Sequence, residues 1–586
     1  MGSKTITNIF LSEKLGGRLE VAHATDSLAK SKLSNSNKVY KFQNYFNFMK
    51  KPKSLVNDEI VRIFGGPSFL AIDMLIENIK LLKKYLPSLN KEKNFFQDVS
   101  KEFVISKKPK DIRYLYKNVG SYFSNCINWN SPRTQFNITP PVTIPSVAAS
   151  ALVSLTNPNM VWDIASGGFA ELEREISKYF SDLVGWNNSS GIFTFGGTGT
   201  NMYAIKIGIN KSDKTALRNG VKETYVISND EGHSCHITIC NWLGIGTNHC
   251  IRLKTSKEGE VTADEVIEAV EKILKEKKKV ACIILNGGTN FNGKIDPIYK
   301  IAKGIEDIKD KYKLDYKPHI HVDSVIGWVF LLFKGYDFEK NELNFPSNIN
   351  NRLKFIYEKI KDISFADSFG VDFHKTGFCP YISSLFITKD KKDWRYLSGD
   401  ENLFTHQAFN FGNYKPGQFT LETSRPANGI VTAYITINVL GLDGMRKIIA
   451  NFLYIADDLR NKLEDLKSFE ICNHDALGWA TLFIAKKNDN HVSYSDLYET
   501  DKEELINESN KFQKDFYDFL VKKYDGKLPW AIGFSKCYKR NKYGFQISAL
   551  KSYPMSPSIT IKDNNLFVSW LNKNLKEFKN ETDTIK

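Results

Sequence analysis

No run of apolar residues in this chain approaches the ~20 that a membrane-spanning helix needs; the stretch from Phe69 to Ile76 is cut by the charge of Asp73. Cysteine is sparse, eight in 586 residues, and no CxxC pair occurs. That excludes a disulfide scaffold and points to reduced thiols in a cytoplasm. The opening residues Met1 to Ile6 contain no apolar core of a secretory signal, and Ile6 stands where N-myristoylation wants Ser or Thr. Several catalytic templates are missing too, among them GxSxG and HExxH. The nearest approach to a Walker A motif, Gly288 to Ile295, has Gly293 and Lys294 correctly spaced but Ile295 where Mg²⁺ needs a hydroxyl. Asp296 and Pro297 follow at once, so a turn is expected there.

What is present is a large supply of core-forming side chains: 42% hydrophobic and 13% aromatic. This excludes disorder as the main state. At ~150 residues per domain the length allows three or four folding units, or one large α/β domain with appendages. The net charge of +15 raises nucleic acid as a partner. Its distribution argues against that reading, because lysine is spread along the whole length. The cluster Lys277–Lys279 ends a helical pattern running over 262–278, where cations suit the negative helix end.

Residues 1–135 are rich in Lys and Asn and carry helical periodicity, as at 70–86. From 136 the texture changes. Short β-branched or aromatic runs at 191–195, 224–228, 250–253, 279–285, 319–323 and 382–387 alternate with amphipathic helices at 201–209, 262–278 and 297–310. That alternation predicts a mainly parallel sheet covered by helices on both faces. A further segment opens near 430 with a long helical pattern broken at Gly441. The expected division is therefore a helical segment 1–135, a large domain 136–430 and a smaller C-terminal α+β domain 431–586.

Polar residues cluster at the predicted strand ends. Gly196, Gly197, Thr198 and Gly199 follow a strand and lead into a helix, a turn that lets backbone N–H groups approach an anion. Asp323 ends the strand 319–323, where a buried carboxylate needs a partner. Lys375 lies between Phe373 and Phe378, next to His374, just before another strand. The loose group His233, Cys235, His236, Cys240, His249 and Cys250 lacks the tight, repeated spacing of a zinc site, so no metal is expected.

Taken in order, the pieces 171–173 (ELE), 194–201 (TFGGTGTN), 228–236 with His233, 287–298 (GGTNFNGKIDPI), 321–324 (HVDS), 372–375 (DFHK) and 419–429 (FTLETSRPANG) resemble the group II pyridoxal-phosphate-dependent amino-acid decarboxylases. This is the family of glutamate and aromatic amino-acid decarboxylases, with sphingosine-phosphate lyase as a relative; the likeness runs from about 140 to 444. The resemblance implies a fold-type I α/β enzyme, active as a homodimer on a small amino-acid substrate, with neither nucleic acid nor membrane as partner. It implies that Lys375 binds the cofactor through a Schiff base, since only a primary amine exchanges with the aldehyde. Asp323 would pair with the pyridine nitrogen and His233 stack on the ring. Gly197, Thr198 and His374 would hold the phosphate, with Thr289 near the ring. Tyr414 would be the loop tyrosine that protonates Cα, with Tyr396 the other tyrosine in the interval; a tyrosine there favours simple decarboxylation over aldehyde formation, and a carbon–carbon lyase of the same fold is the alternative. Arg425 matches a family motif as either a structural or a substrate-binding residue. Val325 replaces the small residue that packs under the ring, and the 331–365 stretch, longer than usual, is expected near the substrate entrance.

Overall fold

A computed structural model describes residues 68–85, 104–123, 126–398, 412–488, 491–524 and 528–584. The chain divides into two compact units at Glu77 and Asn78. Of the first, only the leading part of helix α1 (Ser68–Lys83) is described, where the 70–86 periodicity predicts a helix. The chain start, the rest of the segment before 68 and residues 86–103 lie outside the described residues. No helix among the described residues is long and apolar enough to cross a membrane, and none of the cysteines is in a disulfide.

The second unit holds two sheets. Seven strands, β2 (Ser190–Thr194), β3 (Thr224–Asn229), β4 (Cys250–Leu253), β5 (Lys279–Asn286), β6 (His319–Asp323), β7 (Ser368–Asp372) and β8 (Ser384–Thr388), lie in the order β2-β8-β7-β6-β5-β3-β4. From β7 to β4 all pairings are parallel; β8 runs antiparallel to both β7 and β2. Parallel strands covered on both faces read as continuous apolar runs, and 279–286 is such a run, fully buried after Lys279. A five-stranded sheet combines β1 (Thr134–Gln135) with β9 (Phe469–Ile471), β10 (Thr481–Ala485), β11 (Ala531–Arg540) and β12 (Gln546–Ser552). Thr134 and Gln135 thus pair in parallel with Ala531 and Ile532, so residues on the N-terminal side of position 136 join the C-terminal sheet.

Helices α2 (Ile144–Thr156), α3 (Phe169–Leu183) and α4 (Gly197–Ser212) are followed by α5 (Ala263–Lys275), whose Thr262 and Glu265 form a reciprocal capping box. Next come α6 (Ile298–Lys311) and α7 (Asn428–Asp465), the latter interrupted at Gly441 with φ 64°. The sequence pattern missed β7. Its Gly370 breaks the apolar run because a Cβ there would meet Thr200 Oγ1 of α4 at 2.4 Å; a glycine inside a strand marks such close approach.

A buried ion pair ties these layers together. Glu173 on α3 is 0% exposed and accepts from Phe193 N at 2.8 Å and from Arg425 Nη1 at 2.7 Å. Arg425 also donates to the carbonyl oxygens of Phe193 and Met160. Arg425 is therefore structural: it joins the segment before α7 to α3 and β2. Arg425→Met should cost about 3–5 kcal/mol, because it leaves the Glu173 carboxylate buried and unpaired. Urea denaturation of the two proteins would show it as a lowered midpoint.

Candidate active site

Five polar residues end the central strands along one edge of the large sheet: Thr194, Asn229, Asn286, Asp323 and Asp372. The carboxyl ends of parallel strands are where open α/β sheets bind ligands. A cavity of ≈ 400 Å³ opens there, lined by Gly197, Thr198, Asn201, His233, Thr289, Asp323, Val325, His374 and Lys375, among others. Every cofactor-contacting residue expected from the sequence lies on its wall. Asn137, Ile138 and Thr139 from the segment before α2 close one side, with Tyr381 and Ile382 at another.

Lys375 follows β7 within a polar turn. Its Nζ lies 2.8 Å from Oδ2 of Asp372, which is fully buried and takes a second hydrogen bond from Ser384 Oγ at 2.6 Å. Burial acts to lower the Lys375 pKa, but the Asp372 carboxylate outweighs it and Asp323 adds to the effect, so the ammonium is held above its ordinary value. His374 packs its ring 4.4 Å from that of Tyr381, with Nε2 3.6 Å from Asp372 Oδ2. Gly197 opens α4, and no larger residue fits: a Cβ would lie 2.8 Å from Asp372 Oδ2 and 3.0 Å from Val325 Cγ1. Thr289 sits in the turn that resembled a phosphate loop; its Oγ1 accepts from Lys294 N, while Lys294 Nζ reaches Glu260 instead of the cavity.

Asp323 is 7% exposed. Burial acts to raise its pKa, yet the neighbouring His236 ring, the Lys375 charge and the Asn201 amide hold it well below the usual carboxylate range. Oδ2 accepts from Asn201 Nδ2 at 2.9 Å and lies 3.5 Å from His236 Nε2, whereas Oδ1 has only a 3.4 Å contact from Val325 N. Behind it, His319 and His321 share the same face of β6. Lys211 Nζ, a pure donor, meets His319 Nδ1 at 3.2 Å, and Ser368 Oγ bridges His319 Nε2 and His321 Nδ1. Burial lowers the His321 pKa to about 3, so that ring is neutral.

Tyr414 departs from expectation. It is absent from the cavity wall; its ring lies under Arg174, its hydroxyl is buried without a hydrogen-bond partner, and burial beside Glu173 raises its pKa. The 331–365 stretch is also elsewhere: Arg352 there pairs with Asp457 of α7. Among the described residues, the Cys/His group forms no metal-ligating cluster. Residues that the sequence reading left without a role include Asn201, His236, Arg252 and Asp372. Asp372 had the plainest signal, standing three residues before Lys375.

Because Asp372 raises the Lys375 pKa, the non-nucleophilic ammonium persists to higher pH. Asp372→Asn should therefore shift the onset of Lys375 reactivity to lower pH, measured by reductive methylation across a pH series with mass-spectrometric mapping.

The chain is 24% identical over 326 residues to the acidic amino acid decarboxylase GADL1 of Bos taurus, covering 54% of this chain and 57% of that protein. It is 20% identical over 377 residues to the L-2,4-diaminobutyrate decarboxylase of Acinetobacter baumannii, covering 61% and 68%. It spans a little over half the length of the vertebrate relatives it matches. Its fold is that of mouse CSAD (TM-score 0.68, 15% identity, 86% of this chain and 99% of that one) and of Oryza sativa TDC with PLP and tryptamine (TM-score 0.68, 13% identity, 90% and 100%). The model of the pyridoxal-dependent decarboxylase conserved domain matches residues 98–341 and 353–484, and the chain belongs to that family.

Proposed function

We propose that this protein decarboxylates an L-amino acid, or a close analogue, to the amine and CO₂. The cofactor is pyridoxal 5′-phosphate, that of its family. The observation that carries the reading is the meeting in one cavity of the Lys375 amine and the ionised Asp323 carboxylate, brought together from the ends of adjacent parallel strands. The residues fit the cofactor. Asp323 Oδ1 is left without a strong partner, the start of α4 is bare of side chain at Gly196 and Gly197, and a primary amine stands at the opening.

When bound, the cofactor supplies an electron sink for the bond that breaks. Asp323 would hold a proton at the ring nitrogen, a charge pair out of water. The N–H groups of Gly197 and Thr198, at the positive end of α4, would bind the phosphate, with His374 nearby. His233, its Nδ1 accepting from Cys235 N at 3.1 Å, would cover a ring face. Lys375, once free, is the base and acid at the reacting carbon, and Asp372 stabilises it when protonated. Tyr381 is the tyrosine on the described cavity wall, and its hydroxyl lies 3.4 Å from Thr139 Oγ1.

A homodimer is part of the reading. Ile144, Leu152 and Leu155 on α2 and Tyr434, Val439 and Leu442 on α7 are all exposed, and the two helices are joined by Asn428 and Ser150. Exposed apolar side chains on two helices packed side by side support an interface. Free cysteines support a reducing, cytoplasmic setting.

The test is CO₂ release by cofactor-loaded protein across a broad amino-acid panel, with mass spectrometry of the products. Amine plus CO₂ from one substrate, abolished by Lys375→Ala, is expected. Aldehyde in place of amine, or carbon–carbon cleavage without CO₂, would replace this reading. Tyr414→Phe should leave the products unchanged, because its hydroxyl does not reach the cavity.

A further inference from the structure

His236 is 0% exposed and lies beside Asp323, as the second residue of the short helix Cys235–Trp242 that follows β3. Its Nδ1 lies 3.0 Å from Arg252 Nη1. A guanidinium carries only donors, so Nδ1 must accept and the proton of a neutral ring must sit on Nε2. Nε2 is buried, faces no closer acceptor among its hydrogen-bond contacts, and lies 3.5 Å from Asp323 Oδ2, at the long limit of a hydrogen bond. Arg252 is itself fixed, since it donates to Ser228 Oγ at 3.3 Å and to the carbonyl oxygens of His233 (3.2 Å), Asp230 (3.3 Å) and Gly232. A doubly protonated ring would set an N–H against that guanidinium, so the neutral form with Nε2–H is the one this geometry accepts. Burial, with the charge of Arg252 adding to it, likewise favours the neutral ring, although Asp323 pulls the other way.

We propose that His236, its tautomer set by Arg252, is a positioning residue that aims an N–H at Asp323 and so keeps this carboxylate charged and turned toward the cofactor ring nitrogen. The proposal rests on the pyridoxal phosphate reading above. Its physical content is a division of the two carboxylate oxygens. Oδ2 takes the side-chain donors, Asn201 from α4 and His236 after β3, and Oδ1 keeps only the 3.4 Å contact from Val325 N, on a residue that lines the cavity. Neither Arg252 nor His236 lines the cavity, so neither touches the cofactor.

The experiment compares two ligands on the full-length apo protein by tryptophan-fluorescence titration: pyridoxal phosphate, and its analogue with the ring nitrogen replaced by carbon. His236→Leu should weaken pyridoxal phosphate about tenfold or more, the scale of losing a hydrogen bond to a buried charge, and leave the carbon analogue unchanged. His236→Gln, which still offers an N–H, should restore most of the affinity. Equal weakening of both ligands would show a merely structural role, and no weakening of either would show none; each overturns the proposal. If His236→Leu fails to fold, ¹⁵N-histidine spectra of the unaltered chain decide, with the resonance assigned through His236→Gln. A proton on Nε2 supports the proposal, and one on Nδ1 overturns it. Failure of the unaltered chain to bind pyridoxal phosphate would instead overturn the functional reading on which this rests.

Discussion

A negative charge held out of water at the end of β6 is the constraint on which the rest of this site depends. Asp323 ends a strand whose five residues are all buried, where a carboxyl left alone would take up a proton and lose its use. Keeping it ionised requires donors from several directions, and the fold provides them from separate elements. Asn201 comes from the helix above, His236 from the segment after β3 through Arg252 on β4, and the Lys375 charge from the turn after β7. These elements are far apart in sequence, so the carboxylate fixes their relative placement as much as they fix its charge.

Close approach is the second half of the same constraint. Asn201 reaches Asp323 only because α4 lies hard against the sheet, and two glycines allow it. At Gly370 a side chain would strike Thr200, one residue before Asn201 on α4; at Gly197 it would strike Asp372 and Val325. The start of α4 is thus fitted to two carboxylates on its sheet side, Asp372 at Gly197 and Asp323 at Asn201. A methyl group at either glycine would push the helix outward and lengthen the Asn201 bond first.

The sheet was legible in the sequence wherever strands are uniformly apolar, as at 279–286 and 319–323, and where helices are amphipathic, as in α5. β7 escaped because the close packing that makes it functional replaces a β-branched residue by Gly370. At the cavity, Gly197 at a helix start and Asp323 and Lys375 beside strand termini were singled out through the order of short motifs that carries the family resemblance, each being a weak signal alone. The supporting residues were not. His236 and Arg252 meet only because β3 and β4 pair in parallel, with Ser228 opposite Arg252, and no local pattern reveals a contact made across a sheet. Tyr414 misled for the opposite reason. Its place between Lys375 and Arg425 in the chain suggested a loop over the cavity, whereas backbone hydrogen bonds with Asp163 and packing against Arg174 of α3 hold it off that wall.

The buried charges of this protein fall into two kinds, and the difference separates scaffold from chemistry. Glu173 and Arg425 satisfy one another and the backbone around them, with four of the Arg425 contacts inside the protein. Glu231 is closed in the same way: Lys539 of β11 meets one oxygen at 2.8 Å and Asn292 the other at 3.2 Å, joining the C-terminal sheet to the cavity rim. Each of these carboxylates is paired with a cation inside the fold, and removing that partner leaves a buried charge uncompensated. Asp323 and Lys375 are built otherwise. Each has enough partners to fix its charge and one direction left open, Oδ1 in the first case and the cavity-facing amine in the second. The two groups thus stand at neighbouring strand ends on the wall of one cavity, where two opposite charges are fixed by the fold and still within reach of a ligand.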